Sequence, residues 1–407
     1  MKVLLVNTYH YHRGGDCTYT FSLADTLRAH GNDVSFFGMK HPHNYPCPQE
    51  PYFVDCIDYA EAVASRNLVS AGKVITRSIY SVQARKRISM LLDDIKPDVA
   101  HFQSIHAHLT PSIITELKKR RIPIVWTLHD YKILCPNTTF LSHGEVCERC
   151  KTHRYYNVLL HKCKRESYAA STIACLESYV HRLLGFYGEI DSFIAPSRFL
   201  MHKFIEFGFD EGRITHLPYL LGLDEFKPGS GLGDYCVYAG RLSAEKGIMT
   251  LLKAMKVATN LKLTILGEGP LRNDVEEFVR SNEMINVTLG GYKRGAELRS
   301  LIGNALFCIV PSEWYENYPY AVMEAMSMGM PVISTSLGGL PELVDDGTTG
   351  FLFEAKNHDQ LAARVVTLAG DPELRKEMGM KAFEKARMLF DPELHYRKII
   401  ELYSSLL

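Results

Sequence analysis

Two carboxylates, Glu316 and Glu324, flank an apolar stretch within SEWYENYPYAVMEAMSMGMPVIST, residues 312–335. Pro319 suits the first turn of a helix, where its missing N–H would be unpaired in any case and its φ is already helical. Gly329 then ends the helix and Pro331 starts a strand. This spacing puts Glu316 in the loop before the helix and Glu324 in its second turn. The N–H groups of Tyr320 and Ala321 point into the same space with the positive end of the helix dipole behind them, an anion site. Two acids beside an anion site fit a ligand with phosphates in the middle and hydroxyls at each end, a sugar on one side and a ribose on the other. The plainer alternative is that both acids only complement the dipole.

The frame that would hold such a site is legible in the alternation of short apolar runs with helical patterns, the mark of parallel sheets with crossover helices. In the first half the strand candidates are Lys2–Asn7, Asp33–Phe37, Val99–Phe102, Ile124–Leu128 and Ser192–Ala195. In the second they are Tyr235–Ala239, Lys262–Leu266, Val287–Leu289, Leu306–Val310, Pro331–Ser334 and Gly350–Phe353. The pattern starts twice, and 407 residues with 46% hydrophobic content exceed what one core usually serves, so two domains are expected. The first covers 1–216, the Gly- and Pro-rich stretch 217–234 is a linker, and the second covers 235–392. Residues 393–407 form a helix that crosses back to the first domain. Two doubly wound α/β domains facing across a cleft would place their strand ends, and the ligand crevice, at that cleft.

With those pieces in place, the run from Pro311 to Phe353, including GGLPELVDDGTTGFLF, resembles the signature of the retaining glycosyltransferases of family 4, which have the GT-B architecture of two Rossmann-like domains. YAGRLSAEKG at 238–247 resembles the segment that grips the donor diphosphate, which maps to Arg241 and Lys246. The ArgGlyGly at 13–15 resembles the family's Gly-rich first loop, giving Gly14 and Gly15, and LeuHisAsp at 128–130 resembles the acceptor-side histidine motif, giving His129. The resemblance implies that Glu316 binds the donor sugar's hydroxyls, with Asn317, Tyr318 and Tyr320 beside it, and that Glu324 binds the ribose. Tyr292 and Arg294, in GGYKR at 290–294, would hold the base. Glu316, Arg241, Lys246 and His129 are the implied catalytic set. The alternatives are surface charges for Arg241 and Lys246 and a structural strand-end histidine for His129.

The implied reaction is hexosyl transfer from a nucleotide diphosphate sugar to a saccharide or lipid-linked acceptor, with retention of configuration, in cell-surface polysaccharide or glycoconjugate assembly. A nucleotide-sugar epimerase or sugar phosphorylase of the same fold is the first rival. The chain contains no Asp-x-Asp, so fixed positive charge rather than a metal ion is expected to stabilise the departing diphosphate. A dehydrogenase would need Gly-x-Gly-x-x-Gly after strand one, where the sequence reads HisArgGlyGlyAspCysThr; the Gly-x-Gly at 267–269 runs into Pro270. A non-catalytic sugar-binding module is the remaining alternative.

Cys135, Cys147, Cys150 and Cys163 form C-x11-C-x2-C-x12-C within an insertion at 131–165. The pattern suits a structural zinc with a filled tetrahedral shell, with a redox pair or unliganded thiols as alternatives. Formal charge is zero, with 46 basic and 46 acidic residues. Basic runs at 85–87 and 118–121 suggest contact with an anionic membrane, or simply solvated helix faces; nothing suggests nucleic acid. The first apolar run is too short for a signal peptide or a membrane span, which predicts a cytoplasmic protein with at most peripheral membrane contact.

Overall fold

The computed structural model describes residues 1–56, 77–106, 108–229, 231 and 233–407. The chain divides into two units, one of Met1–Ser142, Cys147–Tyr219 and Glu393–Leu407, the other of His143–Val146 and Leu220–Pro392.

The first unit is built on β1 (Lys2–Val6), β2 (Asp33–Phe37), β3 (Val99–Phe102) and β4 (Ile124–Thr127). A minor hairpin of β5 (Leu141–Ser142) and β6 (Glu145–Val146) precedes β7 (Ser192–Ala195) and β8 (Ile214–His216). The sheet order is β2-β1-β3-β4-β7-β8, and the pairings are parallel. β3, β4 and β7 are buried along their whole length, as strands covered on both faces must be. β8 was not expected. Its three residues Ile-Thr-His carry one buried apolar side chain at the sheet edge, too little pattern to distinguish from a loop.

From Glu393 on, helix Pro392–Leu406 belongs to this first unit, and it buries His395, Ile399 and Tyr403, one residue per turn. Tyr19 Oη lies 3.0 Å from His395 Nε2, and His395 Nδ1 lies 2.9 Å from the carbonyl of Pro218. Since only Nδ1–H can donate to that carbonyl, Nε2 accepts from the Tyr19 hydroxyl. Tyr403 Oη is 2.6 Å from His101 Nδ1, whose Nε2 is 2.7 Å from Thr127 Oγ1. The helix is thus pinned by buried polar pairs as well as by its apolar face.

The second unit holds β9 (Tyr235–Ala239), β10 (Lys262–Leu266), β11 (Val287–Gly291), β12 (Cys308–Val310), β13 (Val332–Thr335) and β14 (Gly350–Phe353). These form a parallel sheet in the order β11-β10-β9-β12-β13-β14. Leu251, Leu263, Ile265, Ile309 and Ile333 lie in its core. The order reverses between β9 and β12, the switch point at which the loops after neighbouring strands diverge and leave room for a ligand. The two units meet in sequence between Tyr219 and Leu220, within the stretch 217–234 expected as a linker.

Candidate functional site

In the second unit the chain leaving β9 turns through Gly240, Arg241 and a short turn at Ala244–Lys246 before helix Ile248–Val257. Gly247 is required there: its φ is +67°, and a Cβ would meet the carbonyl oxygen of Pro311 at 1.8 Å. That approach sews the loop after β9 to the loop after β12. Glu313 N–H donates to the Glu245 carbonyl at 2.8 Å, and Thr250 Oγ1 donates to Glu313 Oε1 at 2.6 Å. The result is a direct pair across the switch point, with Lys246 Nζ donating to Glu316 Oε1 at 2.7 Å.

Glu316 is 4% exposed. Burial works to raise its pKa, but the Lys246 charge and hydrogen bonds from Lys246 and Ser312 outweigh it and hold the carboxyl below its usual range. Ser312 Oγ donates to the same Oε1 at 2.5 Å, and Thr335 Oγ1 fixes the Ser312 carbonyl at 2.7 Å. From below, Gly339 N–H donates to the Glu316 carbonyl at 2.7 Å. Gly338, at φ +65°, could carry no Cβ, which would lie 2.2 Å from that same oxygen. Glu316 is therefore held ionised and immobile. The Lys246 ammonium also stands 5.1 Å from the ring centre of Trp314.

The helix after this loop is Tyr320–Ser327, with Pro319 extended at the N-cap (φ −75°, ψ 126°) rather than inside the first turn. The correction is one residue, and the Pro319 carbonyl still accepts from Val322 and Met323. Gly329 closes the helix at φ +71°. Glu324 sits in the second turn, half-buried, and burial pushes its pKa up to about 7, with Arg299 opposing only in part. Arg299 itself is paired with Glu225 at 3.0 Å. Arg241 is exposed, and its guanidinium makes no ion pair among the described residues. The site thus presents a cation unpaired among the described residues, a half-buried ion pair and a carboxyl with a raised pKa.

The remaining residues singled out from the sequence are dispersed. Tyr292 and Arg294 are exposed beyond β11, the edge strand, where an aromatic face is open to stacking. Asn317 is buried, and Tyr318 is buried with its ring set edge-on to Phe390 at 6.1 Å, a packing contact. Tyr320 is half-buried at the helix start. Gly14 and Gly15 open helix Gly15–Ala29 in the first unit and are exposed.

His129 lies at the end of β4, as expected, yet both its ring nitrogens are engaged. Nε2 is 2.7 Å from Gln103 Oε1 and Nδ1 is 2.7 Å from Tyr219 Oη. Burial lowers its pKa to about 4, so the ring is neutral. Beside it a small pocket is lined by Gln103, Ser104, His106, Asp130 and Trp126. Burial pushes Asp130 up to about 6, and the buried Gln103 Nε2 has no partner. Neither residue was singled out from the sequence; the available signals were Gln103 directly after β3 and an acid directly after His129.

The four cysteines are free thiols. Cys150 is buried with Tyr155 and Val158, and Cys163 packs against them. Burial raises the Cys150 thiol, reinforced by Cys135, Cys147 and Cys163 as charged neighbours. Among the described residues, no three His, Cys, Asp or Glu side chains are arranged to hold a metal ion. The basic runs are largely neutralised. Arg85, Lys119 and Arg120 converge on Glu116, Lys118 pairs with Asp191 at 2.6 Å, and Arg120 also reaches Asp93 at 2.7 Å.

Comparison with known proteins matches residues 13–219, just over half of the chain, to a family described as Glycosyltransferase Family 4, and residues 226–385 to Glycosyl transferases group 1. The uncharacterized glycosyltransferase MJ1178 of Methanocaldococcus jannaschii is 35% identical over 150 residues, 36% of this chain and 42% of that protein. The capsular polysaccharide biosynthesis glycosyltransferase CapM of Staphylococcus aureus is 23% identical over 332 residues, 77% of this chain and 84% of that one. The chain spans less than half the length of the first curated relatives it matches. Sucrose-phosphate synthase of Thermosynechococcus elongatus superposes with a TM-score of 0.74 at 20% identity, covering 100% of this chain and 99% of that one. That likeness shows the fold, GT-B.

Proposed function

The chain belongs to glycosyltransferase family 4, and on that premise we propose that it moves a hexosyl group from a nucleotide diphosphate sugar to a saccharide or lipid-linked acceptor, with retention of configuration, in polysaccharide or glycoconjugate assembly. The observation that carries the reading is the pair of Lys246 and Glu316 at the switch point of the second sheet, beside an unpaired Arg241.

A nucleotide sugar breaks at its anomeric carbon, and charge builds on the departing diphosphate. Fixed cations aimed at that charge act where it develops, with no reorganisation at the moment of reaction. In this reading Arg241 and Lys246 take the diphosphate, assisted by the N-terminal end of helix Tyr320–Ser327. Glu316, held ionised, accepts hydrogen bonds from the sugar's hydroxyls and fixes the ring's orientation. Glu324 accepts from the ribose, which gives its raised carboxyl the hydrogen-bond donors it lacks. The acceptor oxygen bonds to the anomeric carbon on the face the phosphate leaves, the carbon–phosphate-oxygen bond breaks, and the acceptor's proton passes to a phosphate oxygen. These residues supply the charge stabilisation without a metal. The four cysteines play no part in that step; zinc would draw the neighbouring thiols together as a structural staple.

The test is product analysis with labelled nucleotide sugars and a panel of acceptors. A glycosylated acceptor with retained configuration supports the reading, and epimerised donor or released sugar phosphate overturns it. Glu316→Ala must lose transfer; unchanged turnover removes the assignment.

A further inference from the structure

Four of the seven residues in the expected basic runs pair with carboxylates, whereas in a further basic segment Lys151 alone does, with Glu206 at 3.3 Å, among the described residues. Residues 149–184 carry seven Lys or Arg against two Glu, and one of those acids, Glu177, is buried against Lys132 at 2.7 Å. Arg154, Arg165 and Arg182 are exposed and make no ion pair among the described residues. Arg154 lies two residues before helix Tyr156–Leu160, Arg165 three before helix Tyr168–Leu183 and Arg182 in the last turn of the latter, and both helices carry exposed apolar side chains. Along helix Tyr168–Leu183, the residues Tyr168, Leu176, Tyr179 and Leu183 fall within about 80° of arc on one face. All four are exposed, Leu183 at 87%. Helix Tyr156–Leu160 packs against it and adds Tyr156 and Leu160, the latter 64% exposed. Tyr156 N–H donates to Tyr179 Oη at 3.3 Å, so the two exposed sets adjoin. Lys162 Nζ stands 4.3 Å over the Tyr168 ring, an ammonium laid along the aromatic edge of the patch.

Six large apolar side chains left in water on adjoining helices are more than scattered surface hydrophobics. Tyrosines and leucines on one face with arginines around them are what the boundary between lipid headgroups and acyl chains favours, and the excess of positive charge selects anionic lipid. No helix among the described residues is long and apolar enough to cross a membrane, so the contact would lie in the plane of the surface.

We propose that helices Tyr156–Leu160 and Tyr168–Leu183 form a docking face for an anionic lipid bilayer, inserting Leu160, Leu176 and Leu183 below the headgroups while Arg154, Arg165 and Arg182 engage lipid phosphates. The face extends the transferase reading, under which it would hold the enzyme at the surface where a lipid-linked acceptor resides, but its test needs no turnover. The full chain is sedimented with vesicles of phosphatidylcholine alone and of equal parts phosphatidylcholine and phosphatidylglycerol. Binding is expected to be at least about tenfold stronger to the anionic vesicles and to weaken with salt. Leu183→Glu and the double change Arg154→Glu with Arg165→Glu should each abolish it, with thermal melting and transfer to a water-soluble acceptor unchanged. Equal binding to both vesicle types, no binding, or wild-type binding by these variants overturns the proposal. So does a dimer that Leu183→Glu splits in sedimentation velocity, which would make the face a contact between two copies.

Discussion

The buried histidines of the first unit and the switch-point charges of the second are held in different ways. In the first, His101, His129 and His395 each have both ring nitrogens occupied by neighbours of the same unit, and burial keeps the rings neutral. In the second, the polar groups at the switch point are left incomplete, with Arg241 unpaired and Glu324 carrying a raised pKa. A satisfied network stabilises a structure, whereas an unsatisfied one that persists beside a rigid pair such as Lys246 and Glu316 awaits a ligand. Under the proposed function the switch-point charges of the second unit act on the diphosphate, while the paired histidines of the first unit hold its sheet and terminal helix together.

The largest expected effect separates the two. Arg241→Ala should lower kcat/KM by about 10²–10³, the usual loss for a group that stabilises transition-state charge, and leave Tm unchanged because the side chain makes no ion pair among the described residues. A fall in Tm without loss of turnover would reverse the assignment. Acid should act on the first unit. His10 and His395 have their pKa lowered to about 4 in the folded state against 6.5 unfolded. The unfolded chain therefore takes up protons first. Stability is complete above pH 6.5 and falls as pH drops toward 4, by roughly 2–3 kcal/mol for each such buried histidine. Urea melts between pH 7 and 4.5 measure it, and a flat profile would contradict the neutral rings.

His395→Phe should cost about 1–3 kcal/mol, since Tyr19 Oη and the Pro218 carbonyl lose a partner, with transfer unaffected in the cold. Glu324 runs against the acid trend. Its raised pKa favours the folded state below the unfolded value of 4.5, and that contribution is lost as pH rises through about 7. If ribose hydroxyls bind the ionised carboxylate, donor affinity should rise with pH, by about tenfold per unit below 7 at most. Calorimetry with a nucleoside diphosphate at several pH values checks this, and Glu324→Gln should flatten the curve. The smallest effect concerns metal. A chelator should leave transfer unchanged, while elemental analysis of purified protein reports whether zinc accompanies the four cysteines.

Much of the frame was legible because buried parallel strands write themselves as apolar runs: β2, β3, β7, β9, β10 and β14 have the bounds expected of them. β8 escaped because a three-residue edge strand leaves no period. The site was legible in part. Spacing placed Glu316 before a helix and Glu324 inside it, but Lys246 and Glu316 are 70 residues apart and only the adjacency of β9 and β12 makes them partners. His129 shows the converse limit. Its strand-end position could be read, whereas the two hydrogen bonds that engage its ring depend on Gln103 and Tyr219, distant in sequence. The apolar stripe of Tyr168–Leu183 was hidden for a similar reason, because periodicity marks a face without saying whether anything covers it.

Because Glu393–Leu407 completes the first unit while Leu220–Pro392 makes up nearly all of the second, the unit begun first during synthesis is the one finished last. His395 and Tyr403 must leave the ribosome before they can reach Tyr19 and His101. A chain halted after residue 392 would hold every strand of both sheets, yet Tyr19 and His101 of the first unit would lack their partners His395 and Tyr403, leaving buried polar groups unsatisfied.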